Sequence, residues 1–190
     1  MADIRELLQA LRAETEGTYA NTLTRQVERV IETLIKDKTG AYSPVGGETH
    51  LEMLIKIWKR EAFEGTSKGY VTIVAVDVNG LKKVNDSRGH AAGDALIQRT
   101  VDALTPFVCR PTDFLWRTGG DEFLLILPTG EDSMHASELR SAIEAQMDQR
   151  CVSASLGIVN AVVQDEGDWD AAAHTADERM YQDKDKHYGV

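Results

Sequence analysis

The sequence is poor in basic residues and has no long hydrophobic run. Its 190 residues include 21 lysines and arginines against 31 aspartates and glutamates, which gives a formal net charge of −10. Proteins that hold DNA or RNA by neutralising phosphates need a basic excess, so this balance argues against a nucleic-acid binder and a polybasic membrane binder. The longest apolar runs fall far short of the roughly 20 residues that span a bilayer.

Cysteine and proline are also scarce, with 2 and 4 residues respectively. Cys109 and Cys151 cannot form a disulfide framework, and neither has the spacing of a metal ligand, so we expect buried or half-buried free thiols in a reducing compartment. The N terminus lacks the basic and apolar regions of a secretory signal. We therefore expect a soluble, cytoplasmic protein, and 190 residues are enough for one domain with its own core.

The spacing of apolar residues predicts an N-terminal helical segment followed by one α/β domain. Residues 1–36 carry two apolar stripes at helical spacing, typical either of a helix packed on its own domain or of a dimerising stalk. Residues 38–47 are rich in turn-forming residues and predict a linker. We assign residues 37–190 to the domain.

Within this domain, helical stripes alternate with short β-rich segments. Their order is helix, strand, helix, hairpin, helix, strand, helix, which predicts an α+β fold with a central, mostly antiparallel sheet flanked by helices. The segment 70–76 is almost wholly apolar, as expected for a strand buried on both faces. The predicted helices lie around 51–62, 97–104, 136–147 and 169–180, and the other strands at 114–117, 123–127 and 152–159.

Three acidic residues occupy positions that a solvated surface does not explain. Asp77 follows the buried strand, and Asp121 and Glu122 lie at the tip of the hairpin. If the strand and the hairpin are neighbours in the sheet, these carboxylates converge, and their repulsion needs compensation. The alternatives are a lysine or arginine partner, an exposed hairpin tip, or a Mg²⁺ site of hard oxygen ligands.

The two glycines before these acids also allow two interpretations. Gly119 and Gly120 can supply the positive φ angles of a tight hairpin. Alternatively, they remove side chains from one surface, so that a large flat ligand can approach the backbone.

The hairpin loop and several motifs around it resemble those of a known family. The loop Gly119-Gly120-Asp121-Glu122-Phe123, between two apolar strands, resembles the signature of the GGDEF diguanylate cyclases. Further motifs of that family occur at the expected separations, and the resemblance covers roughly residues 36 to 187. These motifs lie at 77–86, 89–94, 152–157 and 176–184.

The resemblance implies condensation of two GTP molecules into cyclic di-GMP with release of two pyrophosphates, on a fold similar to nucleotidyl cyclases and polymerase palms. It implies an obligate homodimer and Mg²⁺, with Mn²⁺ as an alternative. Asp77, the Val78 carbonyl and Asp121 would hold the metal. Asp121 would also accept the proton of the 3′-hydroxyl, with Glu122 as a further metal-associated carboxylate.

The same resemblance implies how the substrate is bound. Asn85 and Asp94 would read the guanine edge, Lys82 and Lys184 would meet the triphosphate, and His90 would lie at the substrate site. The glycines of the signature, Gly119 and Gly120, belong to this site as well.

A second site is implied just before the hairpin. Arg110 and Asp113 resemble the family's RxxD inhibitory site, which binds the product, and Arg140 is a candidate second arm. Arginine suits such a site because its planar fork can hold phosphate and guanine acceptors.

The sequence departs from the family pattern at three places: the opening turn, residues 79–81, and Tyr188, which stands where a phosphate-contacting arginine is frequent. The opening turn matches only at Thr39 and Gly40, which weakens the expected anchoring of the N-terminal helix. Asn79 stands where aspartate is common, which predicts looser phosphate packing or metal binding. Two rival functions remain: a silent module that binds cyclic di-GMP or GTP, and a synthase of a mixed cyclic dinucleotide. The acids at 77, 121 and 122 count against the first, and Asp94 against the second.

Overall fold

The computed structural model describes residues 35–65, 69–129 and 135–188. The helical stripes predicted before residue 35 lie outside the described residues. No helix among those described is long and apolar enough to cross a membrane.

Five helices and four strands make up the described part of the chain. The helices are α1 (Pro44–Glu64), α2 (Leu81–Arg88), α3 (His90–Leu104), α4 (Ala136–Gln149) and α5 (Glu166–Tyr188). The strands are β1 (Tyr70–Val78), β2 (Phe114–Arg117), β3 (Glu122–Pro128) and β4 (Ala154–Val162), with a 3₁₀ turn at Thr105–Phe107.

The strands form one antiparallel sheet in the order β2-β3-β1-β4, which confirms the predicted fold class. Strand β1 is central, and Val71 to Val78 are all buried, as its apolar sequence predicts. Alternate residues of β1 enter two different cores. Val74 and Val76 pack with α3 and α4, whereas Ile73 and Ala75 pack with α1 and α5. The sheet thus separates two layers of helices.

The predicted linker is wrong in its second half, because α1 begins at Pro44. The Ser43 hydroxyl accepts a hydrogen bond from the Gly46 amide at 3.0 Å and caps the helix. A Cβ at Gly47 would lie 2.3 Å from the Trp116 ring. The glycine that suggested a loop therefore permits close packing of the first helical turn on β2.

The structure differs from the prediction in three further details. The sequence pattern does not predict helix α2, because none of its residues is buried and it lacks a strong apolar stripe. Strand β4 begins two residues later than expected and ends at Val162. Cys109 and Cys151 are free, as predicted, but both are exposed rather than buried.

Candidate active site

The acids at the end of β1 and at the hairpin tip converge, as the sequence predicts for neighbouring strands. Asp77 pairs directly with Glu122 in the register of β1 and β3. The Val78 amide donates to the Asp121 carbonyl at 2.9 Å, which fixes the signature loop beside the end of β1. Directly opposed residues share a sheet face, so Asp77 and Glu122 extend from the same side of the sheet.

A lysine of α5 forms an ion pair with Asp77. The Lys184 ammonium donates to an Asp77 carboxylate oxygen at 2.8 Å, and the two side chains are 31% and 6% exposed respectively. Because Asp77 is buried, leaving its carboxylate unpaired would cost free energy of folding, so this ion pair contributes more to stability than a surface pair does. Lys184 was expected at a triphosphate; in this structure it lies on the carboxylate expected to bind the metal.

Asp77 and Asp121 line one open cleft of about 630 Å³ between the end of the sheet and α2. Within the described ranges, no three histidine, cysteine or acidic side chains are grouped as ligands of one metal ion. Two carboxylates do fit Mg²⁺, which takes one or two of them and completes its octahedron with water and phosphate. The cleft's lining is Asp77, Val78, Gly80, Leu81, Lys82, Lys83, Asp86, Ser87, Asp121 and Lys184.

The glycines of the signature loop do not have positive φ angles, so this interpretation of them is wrong. A Cβ at Gly120 would meet nothing within 4 Å, whereas one at Gly119 would lie 2.8 Å from a Glu122 carboxylate oxygen. Gly120 therefore leaves the loop surface open, and Gly119 gives room to the acid that follows it. This supports the second interpretation, a backbone surface that a ligand can approach.

Glu122 lines a smaller cavity of about 230 Å³ against α5, instead of the main cleft. Asp177 and Tyr181 lie in the same cavity, and burial raises the pKa of the Asp177 carboxyl. Glu122 thus stands beside Asp77 in the sheet without joining it in the cleft.

The residues expected to read guanine lie on α2 and α3. A Cβ on Gly93 would meet the Asn85 amide oxygen at 1.9 Å, so this glycine lets Asn85 pack against α3 one residue before Asp94. The Asp94 carboxylate is exposed, and Lys38 lies 2.8 Å from it. The hydrogen bond and charge of Lys38 hold the pKa of Asp94 below its usual value, with smaller contributions from Arg117 and His90.

Three residues that the sequence pattern does not reveal tie the opening turn to this site. Arg117 donates to Asp37 at 3.0 Å and to the Gly120 carbonyl at 2.5 Å, so it joins the opening turn to the signature loop. Lys38, next to Asp37, reaches Asp94. Asp37 and Arg117 are 80 positions apart, and no local pattern pairs them. The available signal was an arginine two residues before the signature glycines.

The structure places Arg110 and Asp113 in one turn but holds Arg140 elsewhere. The Asp113 carboxylate accepts the amides of Cys109 and Arg110, while the Arg110 guanidinium donates to the Pro128 carbonyl. Arg140 instead donates to Asp183 and to the Leu156 carbonyl. Along β1, Pro128 lies opposite Val71 and Leu156 opposite Val76, about 17 Å apart.

A family model, described as the GGDEF domain of diguanylate cyclases, matches residues 48–189. The chain belongs to the GGDEF diguanylate cyclase family. This GGDEF chain is 29% identical over 133 residues to the diguanylate cyclase DosC of Escherichia coli, covering 66% of the chain and 29% of DosC. It is 32% identical over 124 residues to the diguanylate cyclase DgcS of Shewanella oneidensis, covering 62% of the chain and 40% of DgcS.

Solved GGDEF structures have the same fold. A microbial GGDEF domain studied for its interaction with cyclic di-GMP aligns with a TM-score of 0.64 at 26% identity, over 82% of this chain and 93% of that one. The coiled coil and GGDEF domain of DgcB from Caulobacter crescentus, in complex with c-di-GMP, aligns with a TM-score of 0.67 at 20% identity, over 96% and 95% of the two chains.

Asn79, one of the departures from the GGDEF pattern, binds two serines at the start of β4. Its amide donates to the Ser153 hydroxyl at 3.2 Å and accepts from the Ser155 hydroxyl at 3.1 Å. Asn79 therefore ties the turn after β1 to the start of β4, and it does not line the cleft.

Proposed function

We propose that this GGDEF domain is an active diguanylate cyclase, which condenses two GTP molecules into cyclic di-GMP and two pyrophosphates in the cytoplasm. The observation that carries the proposal is one cleft lined by Asp77 and Asp121 on one side and by Lys82 on the other. Carboxylates for a divalent metal and a cation for phosphate are what phosphoryl transfer requires.

The donor set of the cleft suits Mg²⁺, and Mn²⁺ takes the same oxygen ligands. Asp77, Asp121 and the Val78 carbonyl would hold the ion, with Glu122 as a neighbouring carboxylate. A GTP triphosphate brings about four negative charges to these acids, and the metal, when bound, would supply compensating positive charge and make the 3′-hydroxyl more acidic.

The chain's own residues position and deprotonate the substrate. Asp121 accepts the proton of the 3′-hydroxyl of the first GTP. The 3′-oxygen then bonds to the α-phosphorus of the second GTP. The bond from that phosphorus to the bridging oxygen breaks, and pyrophosphate leaves with the electron pair. Lys82 meets the triphosphate, and Lys184 would join it once released from Asp77. The 3′-hydroxyl of the second GTP then reacts in the same way with the α-phosphorus of the first GTP, which closes the ring and releases the second pyrophosphate.

Guanine is read at the α2–α3 rim. Its N1–H and N2 amino group are donors, which the ionised Asp94 carboxylate accepts, and Asn85 offers a donor and an acceptor. His90 begins α3 and is exposed at the same rim. Gly119 and Gly120 let the nucleotide approach the loop backbone.

Catalysis requires two GGDEF domains facing each other, because each binds one GTP. We propose a homodimer in which residues 1–36 control the encounter.

Product inhibition is proposed at Arg110, whose loop Asp113 holds in place. Arg140 remains a proposed second arm, although it must leave Asp183 to act there. Arg110→Ala should relieve inhibition by added cyclic di-GMP; equal inhibition of both proteins would remove this second site.

The direct test is product formation. A preparation shown to be dimeric by light scattering is incubated with GTP and Mg²⁺, and the nucleotides are separated by chromatography. We expect cyclic di-GMP, and a decrease of at least about a hundred-fold in Asp121→Asn, because the proton acceptor and a metal ligand are lost together. Glu178→Gln, which changes an exposed acid of α5 paired with His174, is the matched control and should retain the parent rate.

The alternative is a silent module that binds GTP or cyclic di-GMP, and the Lys184–Asp77 ion pair favours it, because that pair occupies the expected metal ligand. Calorimetric binding of either nucleotide by a dimeric preparation that yields no product would establish this alternative and reject the cyclase.

A further inference from the structure

The Lys38 ammonium lies 2.8 Å from the Asp94 carboxylate, and both side chains are open to solvent, at 66% and 58% exposure. An ion pair so exposed contributes little to folding. Its position is nevertheless specific, since Asp94 is the carboxylate that the proposed function assigns to guanine.

The backbone that carries Lys38 is fixed on both sides. Asp37 accepts from the Thr39 amide at 2.8 Å and from Arg117 at 3.0 Å, which closes the turn around Lys38. After the turn, the Tyr42 amide donates to the Leu115 carbonyl, and the Arg117 amide donates to the Tyr42 carbonyl. Lys38 therefore extends from an anchored turn, which places its side chain within reach of Asp94 at the rim.

The guanine edge has a requirement that Asp94 cannot meet. An ionised carboxylate only accepts hydrogen bonds, so it can pair with N1–H and the N2 amino group but not with the O6 oxygen. Guanine O6 and N7 are acceptors, and lysine and arginine are the side chains that most often bind them. The Lys38 ammonium has three N–H donors, one of which suffices for Asp94.

We infer that Lys38 is a further specificity-determining residue of the nucleotide site, which donates to guanine O6 while Asp94 accepts from N1–H and N2. This inference rests on the proposed function, because it assumes that guanine binds at Asp94. Lys38 and Asp94 then form a donor and acceptor pair that matches the guanine edge and mismatches adenine, whose corresponding edge carries an amino group in place of O6.

The test compares the binding affinities of two nucleotides that differ in the base and share the same phosphate chain, which cannot be cleaved between the α- and β-phosphates. Affinities of the Mg²⁺ complexes of two α,β-methylene triphosphates, one of guanosine and one of 2,6-diaminopurine riboside, are measured by competition against a fluorescent GTP. The second analogue has an amino group in place of O6 and an unprotonated N1 in place of N1–H; the change at N1 concerns Asp94 in both parent and variant. We expect Lys38→Met to weaken binding of the guanosine analogue about ten-fold, and to lower its preference over the diaminopurine analogue by a similar factor.

Lys56→Met is the matched control, because Lys56 is also 66% exposed and pairs with Glu52 on α1, and it should bind both analogues as the parent does. An unchanged preference in Lys38→Met, or tighter binding of the guanosine analogue, would overturn the inference. Asp94→Ala separates this failure from that of the proposed function. If Asp94→Ala weakens binding and Lys38→Met does not, only the inference fails; if neither does, the assigned guanine site fails with it.

Discussion

Two aspartates of the site, Asp77 and Asp94, each have a lysine at 2.8 Å, yet their surroundings differ. Asp77 is buried at the end of the central strand, and its partner Lys184 comes from the last helix. Asp94 is exposed on α3, and its partner Lys38 comes from the opening turn. The same distance therefore has different consequences: removing the first partner strands a buried charge, whereas removing the second returns a carboxylate to water.

The largest change in stability is expected from Lys184→Met. Asp77 would then be left buried without its cation, and we expect the free energy of unfolding to fall by about 2 kcal/mol, less than for a fully buried pair because Lys184 is partly exposed. The measurement is urea denaturation without divalent metal, with Lys56→Met as a control that should match the parent.

Unfolding in the presence of Mg²⁺ tests the same ion pair, because a cation that binds the folded state stabilises that state. Added Mg²⁺ should raise the unfolding midpoint of Lys184→Met more than that of the parent. An equal rise in both proteins would contradict the assignment of Asp77 as a metal ligand that Lys184 occupies.

An intermediate effect is expected at Asp37, which is mostly buried and pairs with Arg117. Burial opposes its ionisation, but hydrogen bonds from Thr39 and Arg117 outweigh burial and lower the pKa of Asp37 below its usual value. A lowered pKa in the folded state stabilises the protein above the unfolded value, and this stability is lost as the pH falls through the folded value.

Asp37→Asn should therefore cost about 1 kcal/mol at pH 7, and its difference from the parent should shrink in more acidic solution. Urea denaturation of both proteins from pH 7 to pH 3 measures this. A difference that stays constant, or widens towards low pH, would show that the ionised carboxylate is not what stabilises the turn.

The smallest effect on stability is expected from Lys38→Met, whose urea-denaturation midpoint should match that of the parent, because both partners are exposed. A loss as large as that of Lys184→Met would remove the contrast between the two ion pairs.

The sequence predicted those parts of the molecule that follow from local patterns. The apolar run before Asp77 indicates a strand buried on both faces, and the hairpin signals place Asp121 and Glu122 at its tip. Their convergence then follows from the pairing of β1 with β3.

What could not be predicted depends on contacts between distant parts of the chain. Helix α2 buries no residue, so periodicity does not reveal it. The ion pairs of Lys38, Arg117 and Lys184 join elements 56, 80 and 107 positions apart, and charge patterns carry no information at such separations. Gly47 resembled a loop residue because the Trp116 ring that requires it comes from another element.

If Asp77 serves the chemistry and Asp94 recognises the base, steady-state kinetics of cyclic di-GMP formation in Asp77→Asn and Asp94→Asn will separate the two roles. We expect Asp77→Asn to lower kcat at least about a hundred-fold, and Asp94→Asn to raise KM for GTP about ten-fold with kcat within a few-fold of the parent. The same change in kcat and KM for both variants, or a parent-like rate in Asp77→Asn, would contradict the account.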